Sequence, residues 1–447
     1  MTDLVDLSAL QAQAQRLVEA ARRAGADAAD AVAIRSVNQV VSVRLGKTEK
    51  VEHSENEDFG LRVFVGRQNA TISATMGADV AELAERAVAM ARVAPPDAYA
   101  GLADADRLIH AFPDLDLLDR SLPATEALVE RAVATEDAAR AVAGVTNSGG
   151  ANAYWSRAGV ALVTSHGFSG SYETSGHGHS VSVIAGEGTG MERDWEASGK
   201  IHLEDLKSPE EVGRVAGERA VKRLDPRKID TRTATVVYDP RVSTGILGAL
   251  TGGINGGAIA RKTSFLKDKL GQRIMPAGIR ITDDPTRRRG PGSRPFDGEG
   301  LAAEPMDLVT DGVLQTWILD SASARELGLA SNGRAARGLG SPGASATNVL
   351  LHPGEMSPEE LIRGIGEGLY VTDFIGHGSN LVTGDYSRGA AGFWIENGEL
   401  AYPVAEITVA GNLHEMFMRI VPANDIEYRG SFVAPTLAIE GLTIAGR

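Results

Sequence analysis

The histidines are the first residues to test for chemistry. His177-Gly178-His179 is a His-x-His pair in a stretch with strand alternation, so both imidazoles fall on one face, which suits a metal. Ser171, Thr174, Ser175, Ser180 and Ser182 surround them and support a second reading, a polar outward face. His414-Glu415-Met416-Phe417-Met418 opens like a zinc-protease helix, but that motif needs a second imidazole four positions after the first. Met418 stands there, and a thioether does not replace imidazole on zinc. Phe417 and Met418 read as core residues of a short helix. His377, between Gly376 and Gly378, has the chemistry of a base, with no nucleophile identified beside it. Gly186-Glu187-Gly188-Thr189-Gly190 lacks the lysine of a phosphate-binding loop and reads as a turn between strands. No Gly-x-Ser-x-Gly elbow is present; Ser379-Asn380 and Ser387-Arg388-Gly389 fall in glycine-rich turns. Arg287-Arg288-Arg289 sits in the polar run 283–300, read as a solvated loop in preference to an anion site.

Composition narrows the classes. The 447 residues suggest two or three domains and a sizeable core. A net charge of −14 argues against nucleic-acid partners, because an acidic surface repels phosphate backbones. The absence of cysteine excludes disulfides, thiol nucleophiles and thiolate metal sites. No uninterrupted apolar run is long enough to span a membrane, and the acidic start Met1-Thr2-Asp3-Leu4-Val5-Asp6 does not resemble a secretory signal, so a cytoplasmic location is expected.

The elements that must position these residues follow from periodicity. Leu10, Ala14, Leu17, Val18 and Ala21 predict a helix over 7–25. Alternation predicts strands over 37–45, 59–65 and 70–73, with polar connections between them. Helices are expected over 79–93, over 123–143 with Pro123 in the first turn, and over 209–223 with Ser208 as cap. Strands are expected over 151–164, 168–185 and 195–201. Asp225-Pro226-Arg227-Lys228 reads as a linker, dividing an N-terminal domain (1–225) from a C-terminal one (230–447). A short strand over 235–238 and an interrupted helix over 240–270 follow. Asn397-Gly398 between 393–396 and 399–402 predicts a hairpin on a type I′ turn. Strands over 407–409, 431–433 and 437–444 and a helix over 412–421 complete the chain. Single strands do not alternate with helices, so a doubly wound parallel sheet is excluded. The fold class is α+β: an N-terminal domain of antiparallel strands and packed helices, then a β-rich, barrel-like or sandwich domain.

Longer stretches carry a resemblance. Gly384-Asp385-Tyr386-Ser387-Arg388-Gly389-Ala390-Ala391-Gly392-Phe393-Trp394-Ile395-Glu396-Asn397-Gly398 resembles a signature region of the TldD/PmbA family, as does 402–413. Glu55-Asn56-Glu57-Asp58-Phe59-Gly60-Leu61-Arg62-Val63 and the terminal 435–444 fit the same family, so the resemblance covers nearly the whole chain.

That resemblance implies a two-subunit, cytoplasmic zinc metalloprotease that trims unfolded peptides and peptide precursors. The TldD-type subunit carries zinc on a helical His-Glu-x-x-x-His plus a later cysteine; the TldE (PmbA)-type subunit lacks this site. Placed by hand on the helix 245–257, Ala249, Leu250 and Ile254 occupy the positions of the motif's His, Glu and second His. No histidine lies between His202 and His352, so a shift of register does not supply one. The resemblance therefore implies a non-catalytic partner with no metal of its own and zinc in a TldD-type partner. It implies a heterodimer, a homodimer being open when the chain is alone, and neither nucleic-acid nor membrane partners. Gly389 and Gly392 are candidates for a peptide groove. Two alternatives stay open: a standalone homodimeric peptide-binding protein, and an independent hydrolase using His177, His179 or His377.

Overall fold

The computed structural model describes residues 4–376 and 378–446; His377 lies outside them. Helix α1 (Leu7–Arg23) is capped by Asp6, whose carboxylate accepts the Ala9 amide. Strands β1 (Ala28–Arg44), β2 (Lys47–Val65) and β3 (Gln68–Thr75) follow, then α2 (Val80–Val93) and α3 (Thr125–Arg140). Strands β4 (Val145–Thr164), β5 (Ser169–Ala185) and β6 (Glu192–Lys200) precede α4 (Pro209–Lys222). The six strands form one antiparallel sheet in the order β3-β2-β1-β4-β5-β6.

Strand length dictates the helix layer. At about 3.3 Å per residue, β1 and β4 outrun what one helix pair covers. Two pairs therefore share one sheet face. Helices α1 and α2 cover Ala29, Ala31 and Ala33, and α3 and α4 cover Val37, Val41 and Val43. The strands extend beyond expectation: β1 starts at Ala28, and the polar segment expected to connect it to the next strand is the first half of β2. The turn is two residues, Leu45 and Gly46, both at positive φ. Pro123 lies outside α3, one residue before its N-cap Ala124.

The opposite sheet face meets the second half of the chain. Leu162 and Phe168 pack with Phe296 and Leu301. Gly60 admits no side chain, because a Cβ would come within 2.0 Å of the Leu339 carbonyl oxygen. Asp30, buried there, pairs with Arg62 at 2.5 Å and Arg337 at 2.5 Å.

The second half runs β7 (Arg232–Tyr238), α5 (Pro240–Gly253), α6 (Gly256–Ala260), β8 (Ile281–Asp283), β9 (Met306–Thr310) and β10 (Val313–Leu314). Then come α7 (Ser321–Glu326), β11 (Ala335–Ala336), β12 (Gly343–Ala344), β13 (Val349–Leu351) and α8 (Pro358–Arg363). It ends with β14 (Glu367–Ile375), β15 (Asp385–Glu396), β16 (Glu399–Asn412), α9 (Leu413–Phe417), β17 (Ile420–Pro422), β18 (Phe432–Val433) and β19 (Leu437–Ala445). Strands β16-β15-β14-β7-β19 run in that order and β16 also pairs with β19, closing a five-stranded barrel with β17 hung on β19. Register shifts at Val371/Asp373, Ala390/Gly392 and Ile439/Leu442 supply the bends that closure needs. A second sheet, β10-β9-β8-β13-β18, packs into the same core. The α+β class and the barrel-like second half agree with the sequence reading, and Asn397 and Gly398 take the positive φ expected of the hairpin turn.

Two expectations fail here. The helix over 240–270 ends at Ala260, because Asn255 caps a new short helix and Lys262 at φ 59° stops it. The run 283–300 is not a solvated loop. Asp283 and Asp297 are fully buried and Glu299 nearly so. Asp283 pairs with Arg334 and accepts the Thr347 hydroxyl, while Asp297 accepts the amides of Glu299, Leu301 and Ala335. Arg334, Thr347 and Ala335 are distant in sequence, so local polarity mimics exposure.

Candidate functional site

Helix α5 stands where the resemblance places the family's chemistry. The Asp239 carboxylate caps it by accepting the Arg241 amide. Ala249 is 6% exposed, and Leu250 and Ile254 are fully buried in the core beneath the barrel. The open side of α5 belongs to other residues: Gly245 and Gly248 are exposed and Gly252 half-buried. None of the three core-facing side chains carries a lone pair, so they do not fit a metal ion. Among the described residues, no three His, Asp or Glu side chains gather as a metal site.

Leu381 and Arg388 approach that open side. A Cβ on Gly252 would meet Leu381 at 2.7 Å, and one on Gly245 would meet the Arg388 guanidinium at 3.5 Å, so the small residues let them approach. Arg388 lies 4.4 Å over the Phe374 ring and donates to the Gly376 carbonyl at 3.1 Å. Tyr386 and Arg388 share one face of β15, two residues apart, and Tyr386 reaches Tyr238 on β7. Burial pushes the Tyr386 phenol up to about 12, against the pull of Arg388. Burial likewise holds the Tyr238 phenol well above its ordinary value. Both phenols therefore stay protonated at neutral pH. Ile375 at 70% and Val382 at 56% exposure complete the surface. It offers one cation and apolar side chains, with the two phenols buried beneath.

Gly389 and Gly392 sit on β15, where both neighbours are occupied. Gly389 lies between Ile375 and Thr408, and Gly392 between Val371 and Val404. Gly392 is buried, and a Cβ would fall 1.9 Å from the Tyr370 carbonyl oxygen. Ser387-Arg388-Gly389, expected in a turn, is thus strand, and the alternation of Tyr386 with Arg388 is the signal that would have revealed it.

The other histidines are dispersed. His177 and His179 point inward and are each 1% exposed, not part of a polar outward face. They continue the register of Val181, Val183 and Ala185 toward α3 and α4, an alternation visible in the sequence. Burial lowers the pKa of both, that of His179 to about 4, and the nearby Arg131 guanidinium adds to this. Asp119 lies 3.5 Å from the Nε2 of His177. Neutral imidazoles beside an arginine make a poor cation site. His414 stacks edge-on to Phe265 at 5.0 Å, while Glu415 points outward to Arg419. Leu413, Met416 and Phe417 are the buried residues of α9; Met418, expected in the core, is 45% exposed.

Comparison with known proteins places this geometry in context. Residues 231–446 match the PmbA/TldA metallopeptidase C-terminal domain, 120–224 its central domain and 29–91 its domain 1. Metalloprotease PmbA of Escherichia coli O157:H7 is 37% identical, over 99% of this chain and 98% of that protein. The Metalloprotease PmbA homolog of Haemophilus influenzae is 38% identical, over 98% of each. A crystal structure from Bacteroides thetaiotaomicron superposes with a TM-score of 0.90 at 26% identity, covering 100% of both chains. TldE from Thermococcus kodakarensis shares the fold, with a TM-score of 0.85 at 20% identity over 97% of this chain and 99% of that one.

Proposed function

The chain belongs to the PmbA/TldD metallopeptidase family, and on that premise we propose that it is the non-catalytic, TldE (PmbA)-type subunit of a cytoplasmic heterodimeric peptidase. Its partner is a zinc-bearing TldD-type chain, and its substrates are unfolded peptides. The observation that carries this reading is α5, whose core-facing positions Ala249, Leu250 and Ile254 are apolar and sealed in the core. A register one residue earlier puts Gly248, Ala249 and Gly253 in the motif positions and brings the first onto the open side. Neither register offers a ligand or a base.

In this role the chain supplies a wall. A peptide would lie across the open side of α5, beside Arg388, Ile375 and Val382, with Gly389 at the rim and the tight bulge at Gly392 fixing the strand beneath. Arg388 donates to peptide carbonyls, and the exposed aliphatic side chains accept apolar residues without selecting among them. When bound in the partner, zinc would polarise the scissile carbonyl.

The test is co-expression with a TldD-type chain, measuring mass, zinc content and cleavage of an unfolded peptide for each chain and for the pair. Only the pair should cleave, with zinc in the partner. Stoichiometric zinc or peptidase activity in this chain alone would overturn the reading. A stable homodimer that binds peptide, ignores the partner and adds nothing to cleavage would replace it with a standalone binding role.

A further inference from the structure

The arginine run 287–289 is not spread into solvent. It meets the end of β6 and the turn 428–430, and together they enclose a cleft of about 550 Å³. Lys200, Arg287, Arg288, Arg289 and Arg429 line it, with Tyr428 beside them and Asp205 as the acidic member. In a chain of net charge −14, five cations around one cleft run against the overall balance.

These cations are not equivalent. Arg289 is neutralised by Asp116, Glu204 and Asp205. Arg429 pairs with Glu196 and Glu427. Arg288 shares Asp116 at 3.3 Å from an exposed position. Lys200 and Arg287 hold main-chain oxygens instead of carboxylates. The Lys200 ammonium donates to the Tyr428 carbonyl at 2.6 Å, and Arg287 donates to the Gly430 carbonyl at 3.1 Å while lying 5.1 Å over the Tyr428 ring. Burial lowers the pKa of both, and Arg287 is among the charges that depress Lys200. The neighbourhood can supply counter-ions, since Lys207 takes Glu427 at 2.6 Å. Asp205 and Glu427 act on Lys200 and Asp284 on Arg287, yet both cations direct their hydrogen bonds to main-chain carbonyls, which leaves them able to take an anion.

We infer that this cleft is an oxyanion-binding site, with Lys200 and Arg287 as the direct ligands and Arg288 at its rim. The ligand is a phosphate or carboxylate group on a molecule small or extended enough to enter. Were the cleft only glue between the two halves, Lys200 and Arg287 would close ion pairs as Arg289 and Arg429 do. The inference stands apart from the heterodimer reading, because this chain alone should bind.

The experiment is isothermal titration of the full chain with inorganic phosphate at fixed ionic strength. Competition then uses an acidic peptide with a free C-terminal carboxylate, against its amidated, neutral counterpart. Wild type should take up about one phosphate per chain, and K200M/R287M should bind about tenfold more weakly or worse. Displacement by the acidic but not the neutral peptide assigns a peptide carboxylate as the source. Indifference to both assigns a free phosphate-type ligand. If the double variant fails to fold, R288Q, altered at an exposed side chain, should still weaken binding about two- to threefold. The inference is overturned if wild type shows no saturable uptake up to about 10 mM phosphate, or if folded K200M/R287M binds as wild type does.

Discussion

Two regions of this molecule hold opposite inventories. Buried charge gathers where the N-terminal sheet meets the second half: Asp30 joins Arg62 to Arg337 across the interface, and within the second half Asp283 pairs with Arg334, with Asp297 and Glu299 also buried. Helix α5, where the family's chemistry would be expected, presents apolar side chains to the core and glycines to solvent. Asp30 thus ties the two halves together, while positions 249, 250 and 254 at the end of α5 are apolar. A buried charge alone does not mark an active site, because a structural ion network perturbs pKa values just as a catalytic one does.

The sharpest way to break this contrast is at Asp30. Asp30→Ala leaves Arg62 and Arg337 buried without their shared carboxylate, and it should cost about 3–5 kcal/mol of stability in urea denaturation. A loss under about 1 kcal/mol would mean that the network does not hold the halves together.

Glu299 sharpens the comparison through pH. Burial and the neighbouring Asp297 push its carboxyl up to about 7. An unfolded glutamate ionises near 4.5, so between those values the folded protein binds more protons than the unfolded one. Stability is therefore fully present below about 4.5 and is lost as pH rises through about 7. Glu299→Gln keeps an acceptor for the Ser321 amide and cannot ionise. It should be more stable than wild type by roughly 2 kcal/mol at pH 8 and equal at pH 4, read from thermal melts at both values. Equal melts at pH 8 would show that folding does not raise the Glu299 carboxyl above its unfolded value.

The smallest effect belongs to α5. A Cβ on Gly248 meets nothing within 4 Å, so Gly248→Ala should stabilise the chain by up to about 1 kcal/mol through helix propensity. A clear loss in the isolated chain would show that something covers this face. A loss of peptide cleavage only in the complex with a TldD-type chain would place substrate or partner there.

Much was legible along the chain. The helices at 7–23, 80–93 and 209–222 and the hairpin at Asn397-Gly398 follow from neighbours within a few residues, and the α+β class follows from their order. Periodicity, caps and turn chemistry are local physics. Tertiary structure decided the rest. The run 283–300 reads as polar loop, yet it is buried, because Arg334 and Thr347 arrive from some 50 or 60 residues away to satisfy Asp283. His177 and His179 read as an outward polar face, and only the placement of α3 and α4 over β5 turns that face inward. The cleft at Lys200, Arg287 and Arg429 needs three segments that the sequence keeps far apart. Burial and charge pairing depend on which surfaces meet, and a linear pattern records one side of each contact.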